Sequence, residues 1–339
     1  MAQRLGRYTL KLERCPVILG SGTIGGKKES EGPLASYFDL LEEDTTFGEA
    51  SWEKAESYLQ KNAVAKALEH SGMSAADMDY VFAGDLLNQC ISSTFGLKDL
   101  DIPFIGLYGA CSTMAESLAV ASCFVEGGLA RRCIAVTSSH FCSAERQFRF
   151  PLEYGGQRTP SAQWTATASG ACVVGEGVGP CIQEVTFGKI CDLGIHDVNN
   201  MGAAMAPAAA DVIWTYFQDT KAKLSDFDFI LTGDLGQVGS ALLYQLLSEK
   251  GMDISEKHQD CGLLLFDREN QDVGAGGSGC GCAASVFCGY ILDQMKRDCL
   301  HNILFLATGA LLSTTSIQQG GSIPGIAHLL HISQKKPES

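Results

Sequence analysis

The chain contains 339 residues, of which 45% are hydrophobic and 19% are charged, so it has enough apolar side chains for a large core. This composition excludes an intrinsically disordered chain and a small disulfide scaffold. The formal net charge of -14 opposes non-specific binding to nucleic acid or to an anionic lipid surface. We therefore expect no nucleic-acid partner, and an anionic ligand would need a local positive site.

The 14 cysteines lie at uneven spacings within apolar stretches, a distribution typical of buried free thiols. Residues 1–12 carry Arg4, Arg7 and Lys11 and lack the apolar segment of a secretory signal peptide. The longest apolar run, residues 303–312, is much shorter than the roughly 20 residues that span a bilayer. We therefore expect free thiols, a protein kept inside the cell, and membrane association that is only peripheral.

The predicted elements of the first half begin with a helix over residues 52–70, where apolar side chains recur at helical spacing. A buried strand is predicted within residues 78–86, and another over residues 102–108. This second strand leads into residues 109–112, whose small side chains permit a sharp turn into a helix. A further apolar strand follows that helix, over residues 133–137.

The second half repeats this pattern. Residues 227–235 match residues 78–86 position by position, with an Asp, an aromatic residue, an apolar stretch and a closing Gly-Asp-Leu. Residues 278–281 open a helical run as residues 109–112 do. The interval from Cys280 to His301 equals that from Cys111 to Arg132, and an apolar strand over residues 303–307 follows it. The chain therefore contains an internal duplication.

Helices between these strands indicate βαβ units that build a mostly parallel sheet. An alanine-rich helix is predicted over residues 203–223, just before the second strand copy. No Pro-rich or Ser-rich linker separates the copies. We therefore predict an α/β fold of two similar halves, residues 1–175 and 176–339, packed into one body.

Cys111 is the first candidate functional residue because it lies at the predicted turn from strand to helix. A thiol at a helix N-terminus has its pKa lowered by the helix dipole and by free backbone N–H groups. Cys111 is therefore a candidate thiolate nucleophile or a contact for an anion. The alternative is an inert buried cysteine, as expected for most cysteines in this chain.

Two duplicated α/β halves with a cysteine at the first-half turn resemble the thiolase fold, in particular its beta-ketoacyl-ACP synthase III branch. The resemblance implies a layered αβαβα body in which Cys111 corresponds to the catalytic nucleophile. Those enzymes pair this cysteine with a His and an Asn of the second half, and alignment places Gly233 and Cys280 at these positions. Because neither residue can replace the base or the amide donor, we expect a protein that is not an enzyme and uses no cofactor.

A more specific resemblance covers residues 15–331. Residues 109–114, 145–167, 307–313 and 323–328 are similar to the stage V sporulation protein AD family of spore-forming Firmicutes. This resemblance implies a non-catalytic protein that binds dipicolinic acid, pyridine-2,6-dicarboxylate, during its uptake into the developing spore. The ligand would be the free acid or its calcium chelate.

The same resemblance implies a location and partners. The protein is expected at the periphery of the forespore or spore inner membrane, beside integral membrane proteins of the same sporulation operon. Because thiolase-like folds usually pair their central strands, a homodimer is also expected.

A flat aromatic dianion requires cationic groups on its carboxylates, N–H groups at a helix start, and apolar faces beside its ring. Residues 140–164 interleave cations with aromatic residues. The predicted ligand-binding residues are Cys111, His140, Arg146, Arg149, Trp164 and His196. One ligand carboxylate is expected over the N-terminus of the helix that follows Cys111. The alternative for the arginines and aromatic residues is a dimer surface or a cover of the core.

Two other functions stay open. One is a Cys-dependent acyltransferase or condensing enzyme, with Cys111 as the nucleophile and His140 or His196 as an unconventional base. The other is a scaffold protein whose ligand pocket is vestigial and which only organises membrane partners.

Three weaker motifs carry no predicted function. The trio Cys280, Cys282 and Cys288 lacks the paired spacing of zinc sites, so no metal site is expected. Residues 274–279 are glycine-rich but lack the Gly-Lys-Ser/Thr ending of a nucleotide-binding loop. Residues 27–29 form a short charged run that we interpret as a solvated loop.

Overall fold

Strands and helices alternate along the chain, as the duplicated βαβ patterns require. The computed structural model describes residues 2–148 and 155–334. Its strands are β1 (Gln3–Leu5), β2 (Thr9–Lys11), β3 (Val17–Gly25), β4 (Leu40–Leu41), β5 (Tyr80–Gly84), β6 (Phe104–Gly106), β7 (Arg132–Ser139), β8 (Trp164–Thr165), β9 (Ala168–Gly175), β10 (Pro180–Phe187), β11 (Phe229–Thr232), β12 (His258–Asp260), β13 (Gly277–Ser278), β14 (Asn302–Ala310) and β15 (Gly325–Gln334). Its α-helices are α1 (Lys27–Ser30), α2 (Trp52–Ser71), α3 (Ile91–Leu97), α4 (Thr113–Glu126), α5 (Phe141–Phe148), α6 (Met201–Thr220), α7 (Gly236–Ser248), α8 (Cys261–Leu264), α9 (Cys280–Ser285), α10 (Leu292–Lys296) and α11 (Thr314–Gln318).

The elements with the strongest sequence patterns are confirmed. The helix predicted over residues 52–70 is α2, which begins after Ser51 as N-cap and ends at Gly72 in the left-handed conformation. The strands predicted within residues 78–86 and 227–235 are β5 and β11. Local signals therefore determine these elements and their ends.

One strand order occurs in both halves. In the first half, β5 lies between β6 and β7 and runs parallel to both, β9 is antiparallel to β7, and β3 is antiparallel to β9. In the second half, β11 lies between β12 and β14 and runs parallel to both, β15 is antiparallel to β14, and β10 is antiparallel to β15. The duplication in the sequence is therefore a duplication of topology.

Helices form layers outside and between these strands. The apolar face of α2 that predicted the helix is buried on β3, β7 and β9. α4 contacts β5, β7 and β9 of one half and β14 and β15 of the other, so it lies between the two sets of strands. α6 covers the opposite face of β14 and β15. The result is the layered αβαβα body that the sequence predicted.

The N-terminal segment joins the two halves. β2 pairs with β10, so residues from the start of the chain extend the second-half sheet. Cys15 and Cys181 form a disulfide, and the other cysteines are free. The expectation of free thiols throughout is therefore wrong for this pair. The two cysteines are 166 residues apart in sequence and come together because β10 meets β3 at Cys181 and Val17, a contact that no local spacing indicates.

Candidate functional site

The first elbow is the turn between β6 and α4. The backbone is left-handed at Ala110, with φ of 50°, and residues 110–112 turn the chain into the helix. Gly309 of β14 packs against this turn, since a Cβ there would lie 2.2 Å from the carbonyl oxygen of Gly109. This close approach of the two halves leaves Cys111 buried.

The second elbow, between β13 and α9, lies against the first. Gly279 has φ of 99°, a conformation that residues with side chains rarely adopt, and α9 begins at the next residue. The thiol of Cys280 donates a hydrogen bond to the carbonyl oxygen of Ala110, with a distance of 3.0 Å between sulfur and oxygen. Cys280 therefore links the two elbows.

A buried carboxyl group, Asp234, lies beside Cys111. It accepts hydrogen bonds from the Ser278 hydroxyl at 3.0 Å and from the Gly279 N–H at 3.0 Å. The Thr308 hydroxyl donates a third bond at 2.8 Å, and the thiol of Cys111 also hydrogen-bonds to this carboxyl. Asp234 therefore joins β13, β14 and both elbows in one buried polar network.

The thiol of Cys111 is not activated. Burial raises the pKa of Cys111 well above its usual value, and the neighbouring Asp234 carboxylate raises it further. The lowered pKa predicted from the helix N-terminus is wrong, because lost solvation and a nearby negative charge outweigh the helix dipole. At neutral pH Cys111 is therefore a protonated thiol.

A small cavity adjoins Cys111, and we call it the elbow cavity. About 30 Å³ of it is accessible to the centre of a water molecule, which is room for little more than water. Its walls include Phe148 and the buried carboxylate of Glu145. Glu145 accepts a hydrogen bond from the Thr165 hydroxyl at 2.7 Å and pairs with Arg158 at 3.3 Å. A dianion placed in this cavity would face the Glu145 carboxylate, in a space too small for it.

A larger cavity opens between α1 and the start of α5, and we call it the α1–α5 cavity. Its volume is about 350 Å³, which is within the usual range of small-molecule sites. Phe141 and Trp164 stack in its wall with ring centroids 3.9 Å apart, and the Lys28 ammonium lies 4.3 Å from the Trp164 ring centroid. Cations and aromatic rings, which the sequence predicted for a ligand site, therefore meet here.

The structure separates the predicted ligand-binding residues. Cys111 lines the elbow cavity, whereas His140 and Trp164 line the α1–α5 cavity. Arg149 lies outside the described residues. The remaining two predicted residues, Arg146 and His196, are absent from the lining of both cavities.

His140 has the contacts of a neutral structural histidine. Its Nε2 donates to the carbonyl oxygen of Thr45 at 2.8 Å, and its Nδ1 accepts from the N–H of Cys142 at 3.2 Å. Burial lowers the pKa of His140. Since both ring nitrogens are engaged, the imidazole holds the start of α5 against the segment that contains Thr45.

Arg146 and His196 are used elsewhere. The Arg146 guanidinium pairs with Glu53 and lies 5.2 Å from the ring centroid of Trp52, so it joins α5 to α2. His196 lies on an exposed loop, and its Nδ1 hydrogen-bonds to the carbonyl oxygen of Gly321 at 3.0 Å. Both side chains therefore have local structural contacts.

Two acidic residues near Cys111 were not expected from the sequence. Asp234 closes the repeated Gly-Asp-Leu segment, which was a signal, but nothing in the sequence gave it a chemical role. Glu145 lies within residues 145–167, one of the segments that carry the family resemblance, and gave no separate signal. Tertiary contacts alone bring these carboxyl groups to Cys111.

Residues 27–29 are not a solvated loop, and that interpretation is wrong. They form the start of α1, and Glu29 is only 1% exposed. Its Oε1 accepts a hydrogen bond from the N–H of Thr167 at 2.9 Å, which holds α1 against the chain between β8 and β9. This long-range contact has no counterpart in the local charge pattern.

Among the residues that the structure describes, no group of three or more His, Cys, Asp or Glu is placed to hold a metal ion. Within the same two ranges, 2–148 and 155–334, no helix is both long enough and apolar enough to cross a membrane.

Comparison with known proteins identifies the family. The family model described as stage V sporulation protein AD matches residues 6–333. The chain is 46% identical over 324 residues to stage V sporulation protein AD of Bacillus subtilis (strain 168), which covers 95% of this chain and 96% of that protein. The chain belongs to the stage V sporulation protein AD family.

Solved structures of condensing enzymes share the fold of this family member. Superposition on 3-oxoacyl-(acyl-carrier-protein) synthase III from Aquifex aeolicus VF5 gives a TM-score of 0.55 at 14% identity, covering 93% of this chain and 99% of that one. The priming beta-ketosynthase of the R1128 polyketide biosynthetic pathway gives 0.57 at 17% identity, covering 96% and 98%. The chain is therefore a sporulation protein with a thiolase-like fold.

Proposed function

We propose that this sporulation protein binds dipicolinic acid, as the free acid or its calcium chelate, and takes part in its uptake into the developing spore. We further propose that it catalyses no reaction. The proposal that no reaction is catalysed rests on the first elbow, where Cys111 is a buried protonated thiol beside Asp234. The dipicolinate part is supported by the chain's membership of the stage V sporulation protein AD family.

The residues at the two expected catalytic positions support this proposal. A Cβ on Gly233 would lie 3.1 Å from the Cβ of Ala283 and 3.1 Å from the Cα of Ala307, so an imidazole would not fit without movement. Cys280 already donates its hydrogen to Ala110. A developing oxyanion near Cys111 would therefore receive neither a proton nor an amide hydrogen bond from these positions.

The second candidate, a Cys-dependent acyltransferase, is favoured by one observation, a thiol at the elbow of a condensing-enzyme fold. The bases considered for it are His140 and His196. His140 uses both ring nitrogens at the α1–α5 cavity, and His196 lies on an exposed loop. Neither histidine lines the elbow cavity, and the carboxyl group hydrogen-bonded to Cys111, that of Asp234, disfavours the thiolate by its negative charge, so the non-catalytic function is preferred.

We also propose that the protein works at the periphery of the forespore or spore inner membrane. Its net charge of -14 disfavours direct attachment to anionic lipid, so docking would occur on integral membrane proteins of the same operon.

Equilibrium dialysis of the purified chain tests the ligand. Dipicolinate and its calcium chelate are compared with phthalate, which lacks the ring nitrogen, and with acetyl-CoA. The proposal expects saturable binding of dipicolinate in at least one of its two forms, weaker binding of phthalate, and no retention of acetyl-CoA. If dipicolinate and phthalate were retained equally and without saturation, the assignment of dipicolinate as the ligand would be wrong.

A further inference from the structure

A chain of four polar side chains connects the outer side of α7 to a buried carboxyl group at the end of β12, and we call it the Asp260 chain. The hydroxyl of Tyr244 lies 2.8 Å from Nδ1 of His258, and Nε2 of His258 lies 2.8 Å from the hydroxyl of Thr232. That hydroxyl lies 2.6 Å from Oδ2 of Asp260. Asp260 is 2% exposed, whereas Tyr244 is only partly buried. The chain therefore joins an interior carboxyl group to the protein surface, and no part of the proposed function involves it.

The chemistry of the four groups gives the Asp260 chain a direction. An ionised carboxylate only accepts hydrogen bonds, so the Thr232 hydroxyl donates its single hydrogen to Asp260. Thr232 then accepts from Nε2 of His258, which leaves Nδ1 to accept from the Tyr244 hydroxyl. Burial lowers the pKa of His258 to about 4, so its ring is neutral above that pH and carries one hydrogen. With Asp260 ionised, every hydrogen of the chain therefore points toward the carboxylate.

We propose that the Asp260 chain is a reversible proton relay, in which a proton taken up at Tyr244 protonates Asp260 and switches the tautomer of His258. Tyr244 gives its hydroxyl hydrogen to Nδ1 of His258 and takes another from solvent. Nε2 of His258 gives its hydrogen to Thr232, and Thr232 gives its own to Asp260. One proton enters at the surface and one arrives at the carboxyl group, and each hydrogen bond then points the other way.

The surroundings of Asp260 place its titration in mildly acidic solution. Burial raises the pKa of Asp260 to about 6, and the negative charge of Asp234 in the turn after β11 raises it further. Burial also raises the pKa of Cys261, at the start of α8, so this neighbour stays a neutral thiol. Asp253 acts on Tyr244, and hydrogen bonds from Ser255 lower the pKa of Asp253, so its charge is constant in this range. Asp260 is therefore the group of the chain that gains a proton as the pH falls.

The relay acts on the turn that places Asp234 beside Cys111. The N–H of Leu235 donates to Oδ2 of Asp260 at 2.8 Å, and the N–H of Gly236 donates to Oδ1 at 3.0 Å. A proton on Oδ2 makes this oxygen a donor to the Thr232 hydroxyl, so the bond from Leu235 weakens. Asp234, the residue before Leu235, hydrogen-bonds to the thiol of Cys111. Proton uptake at the surface is thus transmitted to the buried network of the elbows.

NMR spectroscopy of the histidine ring nitrogens tests the relay directly, because it shows which nitrogen carries the hydrogen. In the full-length chain, His258 should be protonated on Nε2 at pH 7.5 and on Nδ1 at pH 5, with a midpoint near the Asp260 pKa. His328 is the matched control in the same spectra. Burial lowers its pKa to about 4 as well, and its Nδ1 accepts from the N–H of Gly188 at 3.3 Å, so it should keep its hydrogen on Nε2 at both pH values.

Three variants separate the steps. Asp260→Asn presents an amide donor to Thr232, as the protonated carboxyl group does, so His258 should carry its hydrogen on Nδ1 already at pH 7.5. Thr232→Val interrupts the chain and should leave His258 in one tautomer at both pH values. Tyr244→Phe removes the acceptor for the Nδ1 hydrogen, so the midpoint of the switch should fall below that of the wild type.

Each measurement has an outcome that contradicts the relay. A wild-type His258 with the same tautomer at pH 7.5 and pH 5 would show that the chain does not reverse. A switch that persists unchanged in Thr232→Val would show that His258 responds to a group other than Asp260. An unchanged midpoint in Tyr244→Phe would show that the chain does not extend to the surface at this residue. Because these readings need no added ligand, they are independent of dipicolinate binding.

Discussion

At the scale of single residues, the state of Cys111 follows from a competition between two electrostatic effects. A helix N-terminus stabilises a thiolate by an amount on the order of 0.3 to 2 kcal/mol. Complete burial beside a carboxylate disfavours the charge by more, because desolvation alone can shift a pKa by several units. The elbow that would activate a cysteine in an open site therefore leaves this one protonated.

We predict from this that the thiol of Cys111 reacts slowly. In the native chain at pH 8, iodoacetamide should label Cys299, the exposed free cysteine, at least tenfold faster than Cys111. Peptide mass spectrometry over a time course gives both rates in one sample. Equal rates would show an accessible thiolate at the elbow and favour the acyltransferase.

Glu29 gives a second prediction at this scale, concerning stability without ligand. The pKa of its carboxyl is about 7 in the folded chain against 4.5 when solvated, so the folded state keeps a proton that the unfolded state releases. Raising the pH through this interval therefore favours unfolding. Glu29→Gln removes the effect, and its advantage in unfolding free energy over the wild type should grow by roughly 2 to 3 kcal/mol between pH 5 and pH 8.

Urea unfolding of both proteins at the two pH values measures this difference. A constant gap between wild type and Glu29→Gln would mean that Glu29 titrates as a solvated carboxyl.

At the scale of elements, local patterns in the sequence predicted the helices and strands better than residue types predicted the functional site. Local patterns were sufficient to predict α2, from the helical spacing of its apolar residues, and β5 and β11, from the duplicated segment. Each of these elements buries a regular face, which leaves a periodic pattern in the sequence. The strand predicted over residues 102–108 is shorter in the structure, where β6 covers only Phe104–Gly106. It contacts β5 on one side, so fewer of its backbone groups are paired.

The cavities could not be predicted in this way. Each is formed by segments far apart in sequence, such as α1 with α5, or the elbow with α5 and β13. Single-residue candidates such as His140 and Arg146 have side chains that could bind an anion. In the structure, however, His140 hydrogen-bonds to the carbonyl oxygen of Thr45, and Arg146 pairs with Glu53. Their partners are set by packing, which a sequence pattern does not contain.

The edge strand β6 carries the next prediction. It is the last strand on one side of the large sheet. The side chain of Phe104 in this strand is 41% exposed, and that of Tyr108, just beyond the strand, is 44% exposed. We propose that a second copy of the chain pairs with this edge, because an unpaired strand with exposed aromatic residues is a template for association.

Light scattering coupled to size-exclusion chromatography should therefore report a dimer for the wild-type chain and a monomer for Phe104→Lys. Leu129→Lys is the control, because Leu129 is 64% exposed and belongs to the loop after α4, not to β6. A monomeric wild type, or a dimer that survives Phe104→Lys, would contradict pairing through this edge.

At the scale of the whole molecule, the protein has the duplicated fold of condensing enzymes, but the cysteine at its first elbow, Cys111, is buried. The two halves still meet at the elbows, through Cys280 and Ala110 and through Gly309 and Gly109. At this contact between the two elbows, a buried polar network around Asp234 stabilises the packing of the two halves. A larger cavity, of about 350 Å³, lies between α1 and the start of α5.

The overall charge carries a prediction about membranes. With a net charge of -14, the purified chain should stay unbound in flotation assays with protein-free anionic vesicles at about 0.15 M salt. Vesicles that contain the integral proteins of the operon should recruit it. Tight binding to the protein-free vesicles would show that lipid, and not a protein partner, is the docking surface.

We propose that this family member binds dipicolinate and performs no acyl chemistry. The most direct measurement is a calorimetric titration of dipicolinate into the wild-type chain at pH 6, followed by intact-mass analysis of the same preparation after incubation with acetyl-CoA. We expect one saturable dipicolinate site per chain and an unchanged mass. An absence of saturable heat, together with an acetyl adduct on Cys111, would contradict it.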